Sequence, residues 1–272
     1  MVRRASRLRL CLFGLASAVV LAPAASHSQE VTASVRPQRP DAAMATPSDP
    51  NAPVVRLELP RLSRALRATH TAKILAIGSS STVGIGASSP SRTYVARLET
   101  DLETALKGTD FDVIAHGRGG EVAQGAADRM RREVEEVKPD LVLWQVGTND
   151  ALRHVAIDQF KACLKNTLAW LKQHQIDVIL INPQYGDGLT KDAYYEQVVA
   201  VITDVAREVQ VLLVDRFGSM RARGGNAYLS ADKLHMNDEG YEHLASQLAA
   251  TIIQALPHRE DDAPRVTALP KK

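Results

Sequence analysis

The chain has 272 residues, 45% apolar and 24% charged, with 16 Gly, 13 Pro and 2 Cys. That composition excludes global disorder, collagen-like repeats and a disulfide scaffold, and the length allows one large domain or two small ones. The formal charge of +2 owes its sign to Arg3, Arg4, Arg7 and Arg9; without them 29 basic residues face 31 acidic ones, so the remainder offers no electrostatic footprint for nucleic acid.

Residues 1–28 have the layout of a secretory signal peptide. A basic stretch to Arg9 is followed by an apolar run from Leu10 to Leu21 and then by the small residues Ala22, Ala24, Ala25, Ser26 and Ser28. The run falls short of the roughly 20 residues a membrane-spanning helix needs. Cleavage after Ala24, Ser26 or Ser28 is therefore expected, with bacterial export to the periplasm or beyond and no stable membrane insertion afterwards. Residues 29–66 read as a linker, rich in Ala and in prolines (Pro37, Pro40, Pro47, Pro50, Pro53, Pro60), with a short leading helix over 61–67. Residues 258–272 read as a flexible tail.

The intervening residues, 67–257, read as one domain. Lys73–Gly78, Phe111–Ala115, Leu141–Val146, Val178–Asn182 and Val211–Asp215 are mostly apolar runs of strand length, as expected for strands buried on both faces. Between them apolar residues take helical spacing: Val95, Leu98, Leu102 and Leu106; Phe160, Cys163, Leu164, Leu168 and Leu171; Val198, Val201, Ile202 and Val205; Tyr241, Leu244, Leu248 and Ile252. Five strands alternating with helices predict an α/β fold, a three-layer α/β/α sandwich around a five-stranded parallel sheet. Cys163 stands alone after signal cleavage and reads as a buried small hydrophobe. In such sheets functional groups lie beyond the carboxyl ends of the strands.

Four loops at that edge carry polar groups. Gly78-Ser79-Ser80-Ser81-Thr82-Val83-Gly84 places hydroxyls and free N–H groups after the first strand, which suits a serine nucleophile; it lacks the lysine and the glycine spacing of nucleotide loops, and taken alone it reads better as a Ser-rich helix cap. Gly117-Arg118-Gly119-Gly120 allows a backbone N–H to approach a ligand, or is a tight turn. Gly147-Thr148-Asn149-Asp150 offers an amide donor, or a turn with a cap. Asp232-Lys233-Leu234-His235 places a carboxylate where it can orient an imidazole, or is a surface Asp beside a stray His. Together they make a complete inventory for acyl transfer: a serine, two oxyanion donors and an Asp–His pair.

The same four blocks, in this order and spanning about 72–256, resemble those of the SGNH (GDSL-type) hydrolases. The last two match closely and the first two loosely. The resemblance implies that Ser80 is the nucleophile, His235 its general base and Asp232 the orienting acid. It implies an oxyanion hole of the Ser80 N–H, the Gly120 N–H and the Asn149 amide, on a flavodoxin-like SGNH fold. Two departures stand out: Ser79 replaces the aspartate before the nucleophile, and Ala115 stands where many members carry Asn. No cofactor and no metal is expected. Gln184 and Tyr185, after the fourth strand, are expected to bind substrate at the site edge. The expected activity is an exported serine esterase acting on short-chain or carbohydrate O-acyl esters, with a small-molecule or glycan ester as partner. The alternatives are a glycan O-acyltransferase with the same triad, a catalytically silent carbohydrate-binding module, and a flavodoxin-like or nucleotide-binding protein.

Overall fold

The computed structural model describes residues 57–257. The expected signal peptide, most of the linker and the tail lie outside them. Within this range the five expected strands form: β1 (Thr71–Gly78), β2 (Asp110–Gly117), β3 (Leu141–Gln145), β4 (Asp177–Ile181) and β5 (Leu212–Val214). They make one fully parallel sheet in the order β2-β1-β3-β4-β5. Every residue of β3 and β4 is buried. This is why neither sequence alternates polar with apolar.

Among the described residues nine α-helices connect and cover the strands: α1 (Pro60–Thr69), α2 (Ser80–Val83), α3 (Tyr94–Ala105), α4 (Ala123–Val137), α5 (Thr148–Leu152), α6 (Ile157–Gln173), α7 (Ala193–Val209), α8 (Arg216–Ala222) and α9 (Asp238–Ala255). Successive strand residues point to opposite layers. Ile74 and Ala76 pack with α1, α3 and α9, whereas Leu75 and Ile77 pack with α4, α6 and α7. Each fully buried Leu or Ile contributes about 1.5–3 kcal/mol through removal from water. Cys163 is one such core residue on α6, and burial pushes its thiol up to about 11.

The domain begins earlier than the sequence pattern suggests. The leading helix runs from Pro60 to Thr69 rather than over 61–67, and Leu59 and Leu62 are fully buried. The Asp177 carboxylate accepts the Arg61 and Leu62 N–H groups at 2.9 and 3.0 Å, filling the orphan donors of the α1 N-terminus. Residues 60–66 are thus part of the folded body, not linker.

Strand order reverses between β1 and β3, and the crevice beyond their carboxyl ends is where sheets of this order bind ligands. The Ser80 turn follows β1 and the Asn149 turn follows β3.

Candidate active site

Ser80 opens α2 immediately after β1. Its carbonyl accepts the Gly84 and Ile85 N–H groups, both at 3.0 Å, so the chain folds back on the serine within one turn. Two tyrosines from the covering helices fasten this turn. Tyr94 of α3 shares a 3.0 Å hydrogen bond with Thr82, and the Tyr241 hydroxyl of α9 donates to the Ile85 carbonyl at 2.7 Å. Gly86 follows at φ +97°, and a Cβ there would lie 2.3 Å from the Met236 carbonyl oxygen and 3.1 Å from His235 Cβ. Only glycine lets the chain leaving the Ser80 turn lie against the His235 segment.

The Asp232–His235 spacing produces the pair expected of it. Asp232 Oδ2 lies 2.6 Å from His235 Nδ1, while Oδ1 accepts the Leu234 and His235 N–H groups, each at 2.9 Å, and the Ser230 hydroxyl at 2.8 Å. The His235 side chain, then these N–H groups, hold the Asp232 carboxyl far below the ordinary carboxylate range. A permanent carboxylate makes Nδ1 the protonated nitrogen and leaves Nε2 free to accept a proton. The loop is fixed by an antiparallel bridge between Leu229 and Met236 and by Asn237, which caps α9 through Gly240 N–H at 2.9 Å and donates to Ala227 O at 2.7 Å.

The two glycine-bearing turns are tied to each other. Asn149 Nδ2 donates to the Glu121 carbonyl at 2.9 Å, beside Gly120, leaving its second N–H available. Both oxygens of Asp150 accept the Ala123 N–H at the start of α4, at 3.0 and 3.1 Å. Burial pushes the Asp150 carboxyl up to about 6 against those favourable contacts. Gly120 has φ +74°, and among the described residues neither its N–H nor that of Ser80 meets a protein acceptor.

A buried ion cluster holds the Gly120 turn from below. Arg129 of α4 donates to Glu121 at 2.6 Å, to Glu133 at 2.7 Å and to the His116 carbonyl at 2.9 Å. His116 Nδ1 lies 3.0 Å from Glu133. Burial raises the Glu133 carboxyl, but the hydrogen bonds from Arg129 and His116 outweigh it and leave it below its ordinary value. Ser79, the residue that departs from the family pattern, is buried, and its N–H and hydroxyl both donate to Gln145 Oε1, at 2.8 and 3.1 Å.

One expectation needs correction. Gln184 does not edge a substrate groove: it is 2% exposed, and its amide works internally. Oε1 accepts Thr148 Oγ1 at 2.9 Å and Arg216 at 3.0 Å, and Nε2 donates to the Leu234 carbonyl at 2.8 Å. Tyr185 is half-buried, edge-on to Phe217 at 5.3 Å, with its hydroxyl donating to Asp187 at 2.8 Å. Arg216, Arg129 and Gln145 are polar supports that the sequence reading missed. Arg216 follows directly on the loop after β5 that the strand rule marks for inspection; Arg129 and Glu133 are spaced like an ordinary i,i+4 surface pair.

Residues 45–258 match the non-GDSL lipase-like family. The chain is 26% identical over 168 residues to an acetylxylan esterase from Geobacillus stearothermophilus, covering 56% of this chain and 77% of that protein. It is 28% identical over 167 residues to esterase TesA from Pseudomonas aeruginosa, covering 60% of this chain and 78% of that protein. Among solved structures it resembles a lipase/acylhydrolase from Enterococcus faecalis, with a TM-score of 0.60 and 26% identity over 68% of this chain and 97% of that one. With its parallel sheet and four edge loops, the chain belongs to the non-GDSL lipase-like family, within the SGNH (GDSL-type) hydrolases.

Proposed function

We propose that this protein is an exported serine esterase in which Ser80, His235 and Asp232 form the triad and the Ser80 N–H, Gly120 N–H and Asn149 amide form the oxyanion hole. Ester hydrolysis as a class follows from the family and from its esterase relatives. The observation that carries the serine mechanism is the 2.6 Å contact between Asp232 and His235 Nδ1, on a segment that packs against Gly86 just beyond the Ser80 turn.

Ser80 Oγ attacks the ester carbonyl as His235 Nε2 takes its proton, and the imidazolium is stabilised by Asp232. The tetrahedral oxyanion forms facing donors already in place, where removing one such donor typically costs about 2.7–4 kcal/mol of transition-state stabilisation. His235 then protonates the leaving alcohol, and water attacks the acyl-enzyme by the reverse route.

Short-chain or carbohydrate O-acyl esters are the substrates we favour. Support comes from the acetylxylan esterase relative and from the surroundings of the serine. Val83 and Ile85 just after Ser80, and Leu152 just after Asn149, are the exposed large hydrophobics among the described residues. They put apolar surface close in sequence to the serine and to the oxyanion amide, which suits a small acyl group. Export rests on the pattern of residues 1–28, and N-terminal sequencing of the protein from a periplasmic fraction tests it.

The deciding experiment is hydrolysis of p-nitrophenyl acetate, butyrate and octanoate by the mature protein and by Ser80→Ala. Turnover by the wild type alone, highest on acetate, is the expected result. Equal activity of both proteins rules out Ser80 as the nucleophile.

A further inference from the structure

Arg216, the first residue of α8, is fully buried beneath the carboxyl edge of the sheet. Its Nε donates to the Asn182 carbonyl at 2.9 Å, one terminal nitrogen to Ser81 Oγ at 3.2 Å, and the other to Gln184 Oε1 at 3.0 Å. The nitrogen on Ser81 also lies 3.9 Å from Met236 Sδ. Among the described residues no carboxylate pairs with it, and the groups around it include the phenols of Tyr94, Tyr195 and Tyr241. Burial pulls the guanidinium down to about 10, so it stays charged at neutral pH.

An isolated buried charge is expensive, and an apolar side chain of similar volume commonly serves stability as well or better. Core filling alone therefore does not explain an arginine here. Its neighbours do. Ser81 follows the nucleophile, and Met236 follows His235. Gln184, held by the guanidinium, accepts Thr148 Oγ1 beside Asn149 and donates to Leu234 O beside His235. All three functional segments reach this hub through the residue adjacent to the one that performs chemistry.

We propose that Arg216, acting through Gln184, is a positioning residue that sets the Ser80 turn, the Asn149 turn and the Asp232–His235 loop in mutual register. The role rests on the serine-esterase reading above. The planar fork of arginine suits it, because it fixes the Ser81 hydroxyl and the Gln184 amide at set angles to each other and to the Asn182 carbonyl, and Gln184 passes that register to Thr148 and Leu234. A displacement of about 1 Å between reacting groups lowers rates by about 10²-fold.

The test compares wild type, Ser80→Ala, Arg216→Met, Arg216→Lys, Gln184→Leu and the Arg216→Met/Gln184→Leu double variant. The readouts are the rate of covalent labelling by a fluorophosphonate probe, kcat and KM on p-nitrophenyl acetate per cooperatively folded molecule, and thermal melting. In Gln184→Leu and Arg216→Met we expect labelling and kcat to fall by about 10–10²-fold with KM within about threefold. Arg216→Lys recovers part of the loss, and the double variant is no worse than Arg216→Met, because both changes break one linkage. A packing role instead lowers the melting temperature and leaves the folded fraction fully active. If Arg216→Met does not fold, Gln184→Leu and Arg216→Lys decide the matter. Wild-type labelling rates in folded Gln184→Leu, or additive losses in the double variant, overturn the positioning role. Labelling that persists in Ser80→Ala overturns the serine reading instead.

Discussion

Asp232 holds His235 at two points: Oδ2 meets the ring Nδ1 at 2.6 Å, and Oδ1 accepts the same residue's backbone N–H at 2.9 Å. One carboxylate therefore fixes both the position of the histidine backbone and the tautomer of its ring. Asp232→Asn substitutes an amide that cannot accept at both oxygens, so one contact is lost or the ring is forced into the wrong tautomer. We expect kcat to drop by about 10²–10⁴-fold with KM little changed. Steady-state kinetics on p-nitrophenyl acetate, with a melting curve to verify folding, measures this. An unchanged kcat assigns the orienting role elsewhere.

The oxyanion donors separate by the kind of damage they suffer. Asn149→Ala removes the amide and also orphans the Glu121 carbonyl that it satisfies. A fall in kcat of about 10²–10³-fold is expected, with some loss of stability. Gly120→Ala keeps the N–H but strains a backbone at φ +74°, at about 1–2 kcal/mol, and its new Cβ meets only the movable end of Arg153 at 3.2 Å. It should fold and lose activity through a displaced N–H. Paired melting and kcat measurements on both variants check the contrast.

Asp150 gives stability an unusual pH dependence. Burial raises its folded-state carboxyl to about 6, above the unfolded value near 4. Between those values the native state binds more protons than the unfolded chain, so Asp150 makes stability fall as pH rises from about 4 to about 6, and its contribution is flat above that. Asp177 has the same sign, also pushed up to about 6 by burial. Denaturant melts at half-unit pH steps should show a less negative slope between pH 4 and 6 in Asp150→Asn than in wild type, Asp177 and the other shifted carboxyls keeping their own contributions. An unaltered slope would mean that the Asp150 carboxyl titrates normally.

Much of this architecture is legible in the sequence because burial on both faces writes strands as apolar runs. All five strands fall within two residues of expectation at both ends. The site blocks are legible because each ends or follows a strand, where a polar cluster breaks an apolar run. Polar residues that face inward carry no such mark. Gln184 sits in a Pro-Gln-Tyr stretch that reads as an exposed turn, and Arg216 is a single charged residue just past the last strand. Their burial depends on acceptors from segments far away in sequence, 135 residues in the case of Ser81, and no local pattern records that. The start of the domain is hidden for a related reason: Leu59 and Leu62 are buried but stand next to a proline-rich stretch, and the anchor of the helix that begins there, Asp177, lies 115 residues beyond Leu62.

Ser79 tests whether the departure from the family pattern is built into the rest of the fold. Its N–H and hydroxyl both donate to Gln145 Oε1, so this position supplies two donors to one acceptor. Ser79→Asp would restore the family residue but place a second acceptor against Oε1. Rotating the Gln145 amide satisfies the new carboxylate and turns an NH₂ toward the Ser79 N–H, so one buried group stays unpaired either way. A destabilisation of about 1–3 kcal/mol is expected. Burial raises the introduced carboxyl in the folded state, so the deficit opens as pH rises above about 4 and is larger at pH 8 than at pH 4.5. Melting curves at those two pH values give the answer. A variant as stable as wild type at both would show that Gln145 accommodates either residue, and that the serine is not matched to it.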